Sequence, residues 1–214
     1  MKKTIIITTL VLLALVKTNA QSSVGMADNR EKLFFGLKIG GNYSNVYDTK
    51  GDDFVADPTF GLAGGVFVSI PIGRYLGIQP ELLYSQKGYK SSGTFFGETY
   101  SMTRTTDYLD IPLMVAIKPI EYITILVGPQ YSYLLKQKDN FTGGSISSSN
   151  EQIFSNDNYR KNTLCFIGGA DINIDHLVVG ARAGWDVTTN NGDGSSATPR
   201  YKNMWYQVTL GYRF

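Results

Sequence analysis

Histidine and cysteine, which commonly carry out acid–base or nucleophilic chemistry, are scarce in this chain of 214 residues. His176 is the only histidine and Cys165 the only cysteine, so one chain offers neither a two-histidine metal site nor a disulfide. His176 follows Asp175 in a predicted turn, and we interpret it as a solvated turn residue rather than a catalytic base. Cys165 has no basic neighbour in sequence, which favours a small packing residue over a nucleophile. The sequence therefore predicts no enzyme and no cofactor.

An acidic cluster in the first polar segment is the remaining candidate for a metal site. It contains Asp48, Asp52, Asp53 and Asp57. A calcium ion takes about six to eight oxygen ligands, and the spacing of these four residues does not follow that of a known calcium loop. We interpret the cluster as a solvated acidic loop and expect no metal site.

The first 20 residues have the order of a secretory signal peptide. A positive start with Lys2 and Lys3 precedes an apolar run over residues 5–16, and the small residue Ala20 ends the stretch. A transmembrane anchor is the alternative, but 12 residues span only about 18 Å of a hydrocarbon core that is roughly 30 Å thick. We predict cleavage after Ala20. An exported chain without a later apolar run of that kind is either soluble or crosses a membrane as strands.

Composition excludes several classes of protein. The chain has 20 Lys and Arg against 18 Asp and Glu, a net charge of +2. Loss of Lys2, Lys3 and Lys17 with the leader gives 17 against 18, or −1. This balance does not fit a basic nucleic-acid-binding protein. The 43% hydrophobic and 18% charged residues are typical of a folded domain rather than a disordered chain.

Apolar residues alternate with small or polar residues, as two-faced strands require. The pattern begins with Phe35, Leu37 and Ile39 and recurs in seven further segments, near residues 60–70, 76–84, 109–117, 123–133, 164–174, 177–187 and 204–214. Nine charged residues within these segments all lie on the opposite phase: Lys38, Glu81, Lys87, Asp110, Lys118, Asp171, Arg182, Asp186 and Arg213. A soluble barrel, the alternative, would bury its apolar face and expose its charges. The phase favours apolar residues facing lipid and charged residues facing a lumen.

Connector lengths alternate between long and short. The long ones cover 44–58, 88–106, 139–162 and 189–202, and the short ones cover 71–74, 119–121 and 175–176. We therefore predict an all-β, eight-stranded antiparallel up-and-down transmembrane β-barrel of the outer membrane, with short periplasmic turns and long extracellular loops. The barrel domain covers residues 33–214, behind a short periplasmic segment over 21–32.

Four of the inward charges are predicted to form a lumen network. Lys38, Glu81 and Arg182 lie at similar distances from the periplasmic end, and Asp171 lies across one hairpin from Arg182. An eight-stranded barrel is only wide enough for side chains to fill it, and unpaired ions there would be costly. We expect a packed network of ion pairs, with a conducting pore as the alternative.

Three prolines conflict with regular strands. Pro80, Pro112 and Pro129 fall inside predicted strands of a closed barrel, which has no edge where a missing N–H is harmless. Each is therefore expected to mark a bulge or a gap in strand pairing.

The last strand carries a candidate assembly signal. Leu210, Tyr212 and Phe214 continue an apolar and aromatic series to the end of the chain. This series resembles the terminal strand that outer-membrane assembly machinery reads, and the alternative is that Phe214 only belongs to the periplasmic aromatic girdle.

Four motifs carry a resemblance to a known family. They are Ile-Gln-Pro-Glu-Leu-Leu-Tyr-Ser-Gln-Lys-Gly at 78–88, Tyr-Leu-Asp-Ile-Pro-Leu at 108–113, Gly-Pro-Gln-Tyr-Ser at 128–132 and Leu-Gly-Tyr-Arg-Phe at 210–214. They resemble small outer-membrane β-barrel proteins of the Bacteroidota, often called PorT-like. The resemblance implies an eight-stranded barrel and leaves the activity open. Its name-giving relatives are associated with a protein secretion system.

The functional expectation is a structural barrel, or one whose long loops recognise or adhere to a partner. The alternative is a component of an envelope secretion machine or a small channel. Expected partners are outer-membrane lipid, the assembly machinery and an unidentified extracellular or envelope protein, with no nucleic acid. Aromatic residues of the long loops are either contact residues or strand extensions at the barrel mouth: Phe95, Phe96, Tyr100, Phe141 and Phe154.

Overall fold

The structure is a computed structural model that describes residues 28–48, 56–95, 98–143, 146–153, 162–189 and 201–214. The predicted signal peptide over 1–20 lies outside the described residues, as do Asp52 and Asp53 of the acidic cluster. Among the described residues, no helix is long and apolar enough to cross a membrane.

Strands make up almost all of the described chain. A single 3₁₀ turn over Asn29–Glu31 precedes them. The nine strands are β1 (Phe34–Asp48), β2 (Ala56–Pro71), β3 (Leu76–Phe95), β4 (Glu98–Ile120), β5 (Ile123–Gly143), β6 (Ile146–Ile153), β7 (Asn162–Ile174), β8 (Leu177–Asp186) and β9 (Tyr201–Arg213).

Eight of these strands form a closed antiparallel ring. Neighbours in sequence pair from β1 to β5, β5 pairs with β7, and the ring closes through β8 and β9 back onto β1. The remaining strand, β6, pairs with the upper part of β5, above the part that pairs with β7. The predicted antiparallel up-and-down barrel is confirmed, with β6 as an added strand above one ring position.

Two of the predicted long loops are wrong, because they contain strand. Residues 88–95 of β3 pair with 98–105 of β4, and 136–143 of β5 pair with β6. These segments are polar, and only those of β3 and β4 contain both Thr and Tyr, which suit extended backbone. Beyond the membrane neither strand face meets lipid, so the apolar alternation that marked the other strands is lost. The first long loop, predicted over 44–58, is shorter than predicted, since β1 reaches Asp48 and β2 begins at Ala56.

The two faces of the barrel differ as the alternation predicted. Outward apolar side chains are exposed to the surroundings, with Ile39 at 68% and Phe60 at 83%. All nine inward charged residues are buried. On β5 the outward apolar positions run from Ile123 to Tyr133, about 33 Å along the strand, or roughly 25 Å across a membrane at a tilt of about 40°. The exposed band therefore matches the height of a lipid-facing belt.

Glycine at two inward positions permits the close approach of neighbouring strands. A Cβ atom at Gly40 would overlap the carbonyl oxygen of Val208, and one at Gly65 would overlap that of Leu82. In a barrel this narrow the strands coil tightly, and only glycine fits at such points.

Each of the three singled-out prolines lies at a gap in one of its two ladders. Pro80 falls in a gap between β3 and β2, Pro112 in one between β4 and β3, and Pro129 in one between β5 and β4. The register is the same on both sides of each gap, so these are gaps rather than bulges. A register shift lies elsewhere, between Pro58 and Ala63 of β2.

The lipid-facing phase gives a direct test. Val115 points outward near the middle of the apolar belt, whereas the adjacent Ala116 is buried in the lumen. We expect Val115→Lys to lower the free energy of unfolding by roughly 2 to 4 kcal/mol, because a lysine would face hydrocarbon. Ala116→Ser should cause a clearly smaller loss. Urea titration of protein refolded into liposomes measures both losses. Equal losses would contradict the assignment of Val115 to the lipid face and Ala116 to the lumen face.

Candidate functional site

The four residues of the predicted network meet inside the lumen. The Lys38 ammonium on β1 lies 2.7 Å from Glu81 Oε1 on β3, and an Arg182 guanidinium nitrogen on β8 lies 2.7 Å from Glu81 Oε2. Arg182 also lies 3.1 Å from Asp171 Oδ2 on β7. All four side chains are at most 3% exposed. Because inward positions on four strands converge across a narrow barrel, residues far apart in sequence form one cluster.

The charges of this lower network balance. Two cations and two carboxylates give a net charge of zero, and Glu81 accepts a further bond of 2.9 Å from Gln79 Nε2. Lys38 Nζ also lies 4.6 Å from the centre of the Phe67 ring. A buried ion cluster is tolerable when every charge has a hydrogen-bonded partner of opposite sign. The arrangement fills this level of the lumen with side chains.

A second cluster surrounds Lys87 nearer the extracellular end. Its ammonium lies 3.0 Å from Asp110 Oδ2, 3.7 Å from the Trp205 ring centre and 4.8 Å from that of Tyr108. An ammonium held between a carboxylate and two aromatic faces loses its water shell without losing its electrostatic partners. Lys87 is 1% exposed, so this upper network also occupies the lumen.

Asp186 on β8 lies beside this cluster and accepts hydrogen bonds from both neighbouring strands, β7 and β9. Its Oδ2 accepts bonds from both nitrogens of Asn203, at 2.9 Å from the backbone and 2.7 Å from the side chain. Its Oδ1 accepts a 3.1 Å bond from Cys165 Sγ, and the same sulfur lies 3.3 Å from Ser132 Oγ. Sequence analysis placed Lys87, Asp110 and Asp186 on the lumen phase but did not group them, since their partners lie on other strands.

An apolar layer adjoins the upper network. It consists of Met114, Ala116, Leu126, Cys165, Ile167 and Trp205, each at most 1% exposed. On β4 this layer lies between Asp110 and Lys118. The lumen is therefore occupied by apolar as well as charged side chains.

The extracellular mouth is closed by aromatic residues and an ion pair. The rings of Tyr89 and Tyr201 meet edge to face with centres 5.6 Å apart, and both side chains are buried. Arg104 donates two hydrogen bonds to the Asp139 carboxylate, at 2.7 and 2.8 Å, and a third to the Tyr201 hydroxyl at 3.3 Å. A bidentate pair of this kind fixes both side chains in one orientation.

The periplasmic mouth is covered by Arg30, which sequence analysis missed. Its guanidinium donates to Pro119 O at 3.1 Å, and Lys118 Nζ donates back to Arg30 O at 3.0 Å. Asp28 lies 2.6 Å from Arg30 and 2.9 Å from Arg74. The main partners on the barrel are backbone carbonyls at a turn, and these leave no periodic signal in the sequence.

The Asp28 pairing persists in acid. The Arg30 guanidinium beside it holds the pKa of the Asp28 carboxyl well below its usual range. A carboxylate whose pKa is lowered in the folded state contributes stability that is lost only as the pH falls through that lowered value. We therefore expect Asp28 to keep its ion pairs with Arg30 and Arg74 at mildly acidic pH.

The two candidate catalytic residues lie at opposite ends of the lumen wall. His176 is exposed in the β7–β8 turn, where its Nδ1 lies 2.7 Å from Arg213 O and its ring stacks on Tyr212 with centres 5.4 Å apart. Cys165 is buried in the apolar layer beside the upper network. Within the described ranges, no group of three or more His, Cys, Asp or Glu side chains could hold a metal ion.

The C-terminal residues close the ring at its periplasmic end. The Phe214 N–H donates to Phe35 O at 2.7 Å, and β9 pairs with both β1 and β8. Leu210, Tyr212 and Phe214 all point outward and are about half exposed or more.

The chain belongs to the outer membrane protein beta-barrel domain family, whose family model matches residues 19–187. This membership and the lipid-facing barrel define an outer-membrane β-barrel protein. No curated protein matches the sequence.

Several solved structures share the architecture at low identity. The attachment invasion locus protein Ail of Yersinia pestis has 15% identity and a TM-score of 0.46, covering 85% of this chain and 98% of Ail. Neisserial surface protein A has 8% identity and a TM-score of 0.46, covering 84% and 97%. OprG of Pseudomonas aeruginosa has 12% identity and a TM-score of 0.39, covering 86% and 97%. At such values these neighbours support no inference about function.

Coupling within the lower network can be measured. Glu81→Met leaves Lys38 and Arg182 with only Asp171 as a partner, an excess of one positive charge. Arg182→Met leaves Glu81 and Asp171 with only Lys38, an excess of one negative charge. Each variant should therefore cost about 3 to 5 kcal/mol of unfolding free energy. The double variant retains Lys38 and Asp171, whose charges still cancel, and should recover much of the loss. A double-mutant cycle by urea titration gives the coupling. The exposed Lys90→Met serves as the control, and a coupling near zero would contradict the network.

Proposed function

We propose that this protein is a non-conducting outer-membrane anchor that presents a recognition surface outside the cell. The surface is the projecting sheet, defined as residues 88–95 of β3, 98–108 of β4, 134–143 of β5, and β6. The observation that carries the proposal is the height of this sheet above the β7 side of the ring. On β5 the pairing with β7 ends at Tyr133, yet the strand continues for ten residues to Gly143, about 30 Å.

The side chains of the projecting sheet support its position outside the membrane. Above Tyr133, one more exposed apolar residue of β5, Leu135, lies at a register shift, and Lys136, Lys138 and Asn140 follow it. Facing strands supply Thr103 opposite Asn140 and Thr105 opposite Lys138. Such a surface suits water rather than hydrocarbon. A paired sheet is also stiffer than a loop, which lowers the entropy cost of binding a partner.

One part of the projecting sheet has the composition of a contact surface. The Tyr100 and Phe141 rings stack with centres 6.0 Å apart, and Phe141 is 39% exposed despite its distance from the lipid belt. Arg104 and Asp139 lie on the same two strands. Exposed aromatic residues beside charged ones are enriched in binding sites. The side chains of Phe95, Phe96 and Phe154, the other predicted contact residues, lie outside the described part.

A component of an envelope secretion machine is the second candidate. It is favoured by the PorT-like motifs at 78–88, 108–113, 128–132 and 210–214, and membership of that narrower Bacteroidota group is part of this proposal. In either role, outer-membrane lipid and the assembly machinery are the constant partners. A channel role is disfavoured by the two lumen networks and the two covered mouths.

We also propose that the terminal series Leu210, Tyr212 and Phe214 is an assembly signal. Before the ring closes, β9 presents a free edge that can pair with another strand by β-augmentation. In the folded barrel Phe214 forms one backbone bond to Phe35 and an edge-on contact with Tyr212, with ring centres 5.2 Å apart. Few native contacts depend on the Phe214 side chain, which leaves room for a role during assembly.

Trimming the projecting sheet tests the recognition role. Lys136 pairs with Ile153, so an Asn-Gly turn can replace residues 137–152 and leave in place every β5 residue that pairs with β7. Proteoliposomes with the wild-type or trimmed barrel are tested on immobilised extracellular-matrix proteins and glycans. We expect binding by the wild type, its loss on trimming, and at least a tenfold reduction in Tyr100→Ala/Phe141→Ala. The heat-modified gel mobility of folded barrels should be unchanged, and binding that is absent or insensitive to trimming contradicts the proposal.

Deletion of Phe214 separates assembly from folding. We expect the truncated chain to refold in detergent almost as well as the full chain, because most ring contacts remain. In cells it should accumulate unassembled in the periplasm, as measured by fractionation and gel mobility. Phe60→Ala, at the opposite end of the belt, is the control and should assemble normally. Normal cellular assembly of the truncated chain, or equal damage in detergent and in cells, leaves Phe214 only a girdle role.

A further inference from the structure

A small polar cavity lies just inside the periplasmic mouth, between Arg30 and the lower network. Three of its lining residues are cationic, namely Arg30, Lys118 and Arg213, and its polar lining includes Ser69, Thr124 and Asn173. Its open space has room for about one water molecule. The cavity is therefore of the size that holds a single small ion or solvent molecule.

The three cations are unusually well buried for groups at a barrel mouth. Arg30 and Arg213 are each 8% exposed and Lys118 is 4% exposed. Lys118 Nζ donates to Arg30 O at 3.0 Å, and Arg213 Nε donates to Asp175 O at 2.7 Å. In the described part of the chain neither forms an ion pair with a carboxylate. Backbone carbonyls satisfy these hydrogen bonds but do not cancel the two charges.

Carboxylates on the cavity wall do not offset this excess. Glu121 and Asp171 are the acidic lining residues, so the lining carries three positive and two negative charges. Asp171 is already paired with Arg182, just as Arg30 is paired with Asp28. Setting both pairs aside leaves Lys118 and Arg213 against Glu121 within the lining, an excess of one positive charge, and the further carboxylate near Arg213, that of Asp175, is exposed in the β7–β8 turn rather than in the cavity. Buried charge of one sign is costly unless an ion of opposite sign accompanies it.

We propose that this cavity binds one small monovalent anion of halide size between Lys118 and Arg213. A halide cancels the excess of one charge, whereas water cannot. Phosphate and sulfate are too large for a space of this size. The ion also contacts the wall and Arg30 together, so it strengthens closure of the periplasmic mouth by the N-terminal segment. This inference is independent of the projecting sheet and its partner.

Anion-dependent stability tests the site. The full mature chain is refolded in detergent and unfolded with urea in sodium chloride or sodium gluconate of equal ionic strength, so that charge screening is the same. Gluconate is too large for the cavity. We expect the urea midpoint of the wild type to be higher in chloride and to rise with the logarithm of chloride concentration, as for a ligand that binds the folded state.

Two variants and one structural measurement complete the test. Lys118→Met should remove the difference between chloride and gluconate, and the exposed Lys90→Met should retain it. Crystals grown in sodium bromide should show an anomalous peak within hydrogen-bond distance of Lys118 Nζ, a result that needs no variant to fold. The proposal is overturned if the wild type shows no preference for chloride, if Lys118→Met retains the preference, or if bromide is absent from this cavity.

Discussion

The cost of placing charge inside a narrow barrel is the constraint on which the rest of this structure depends. Lipid faces the outer wall, so strands of period two must turn their polar side chains toward the lumen. The lumen of an eight-stranded barrel has no room for a water column beside those side chains. Lys38, Glu81, Arg182 and Asp171 therefore satisfy one another across the axis. The two pairs that Glu81 forms, with Lys38 and with Arg182, join strands that are not consecutive in sequence, so charge compensation also fixes how these strands face each other.

The same constraint explains how the ends of the barrel are closed. At the extracellular end Arg104 is held by Asp139 and covers the Tyr89–Tyr201 pair, and at the periplasmic end Arg30 lies across the opening. Each arginine combines a carboxylate partner with other hydrogen-bond acceptors. Side chains thus fill the lumen of the membrane-spanning part. Under the proposed function, recognition falls to surfaces outside the membrane, among them the projecting sheet.

Sequence reasoning was most successful where the surroundings impose a two-sided pattern. Lipid on one side and a packed lumen on the other made the phase of Lys87 or Asp186 readable from alternation alone. Beyond the membrane both faces of a strand meet water, so the sequence pattern predicts loops over 88–106 and 139–162, where the strands in fact continue and β6 is added. Arg30 could not be found in this way, because it binds turn carbonyls whose positions depend on the closed ring. The prolines were expected to disturb pairing, but only the ladders distinguish a gap from a bulge.

The central claim is that side chains close the lumen, and planar-bilayer conductance of the refolded mature chain tests it most directly. A porin inserted under the same conditions shows that open pores are detectable. The account predicts a baseline without discrete current steps, even when insertion is verified by protease protection. Reproducible single-channel steps from the wild-type barrel would contradict it, because a continuous ion path cannot coexist with the two side-chain networks and the two covered mouths.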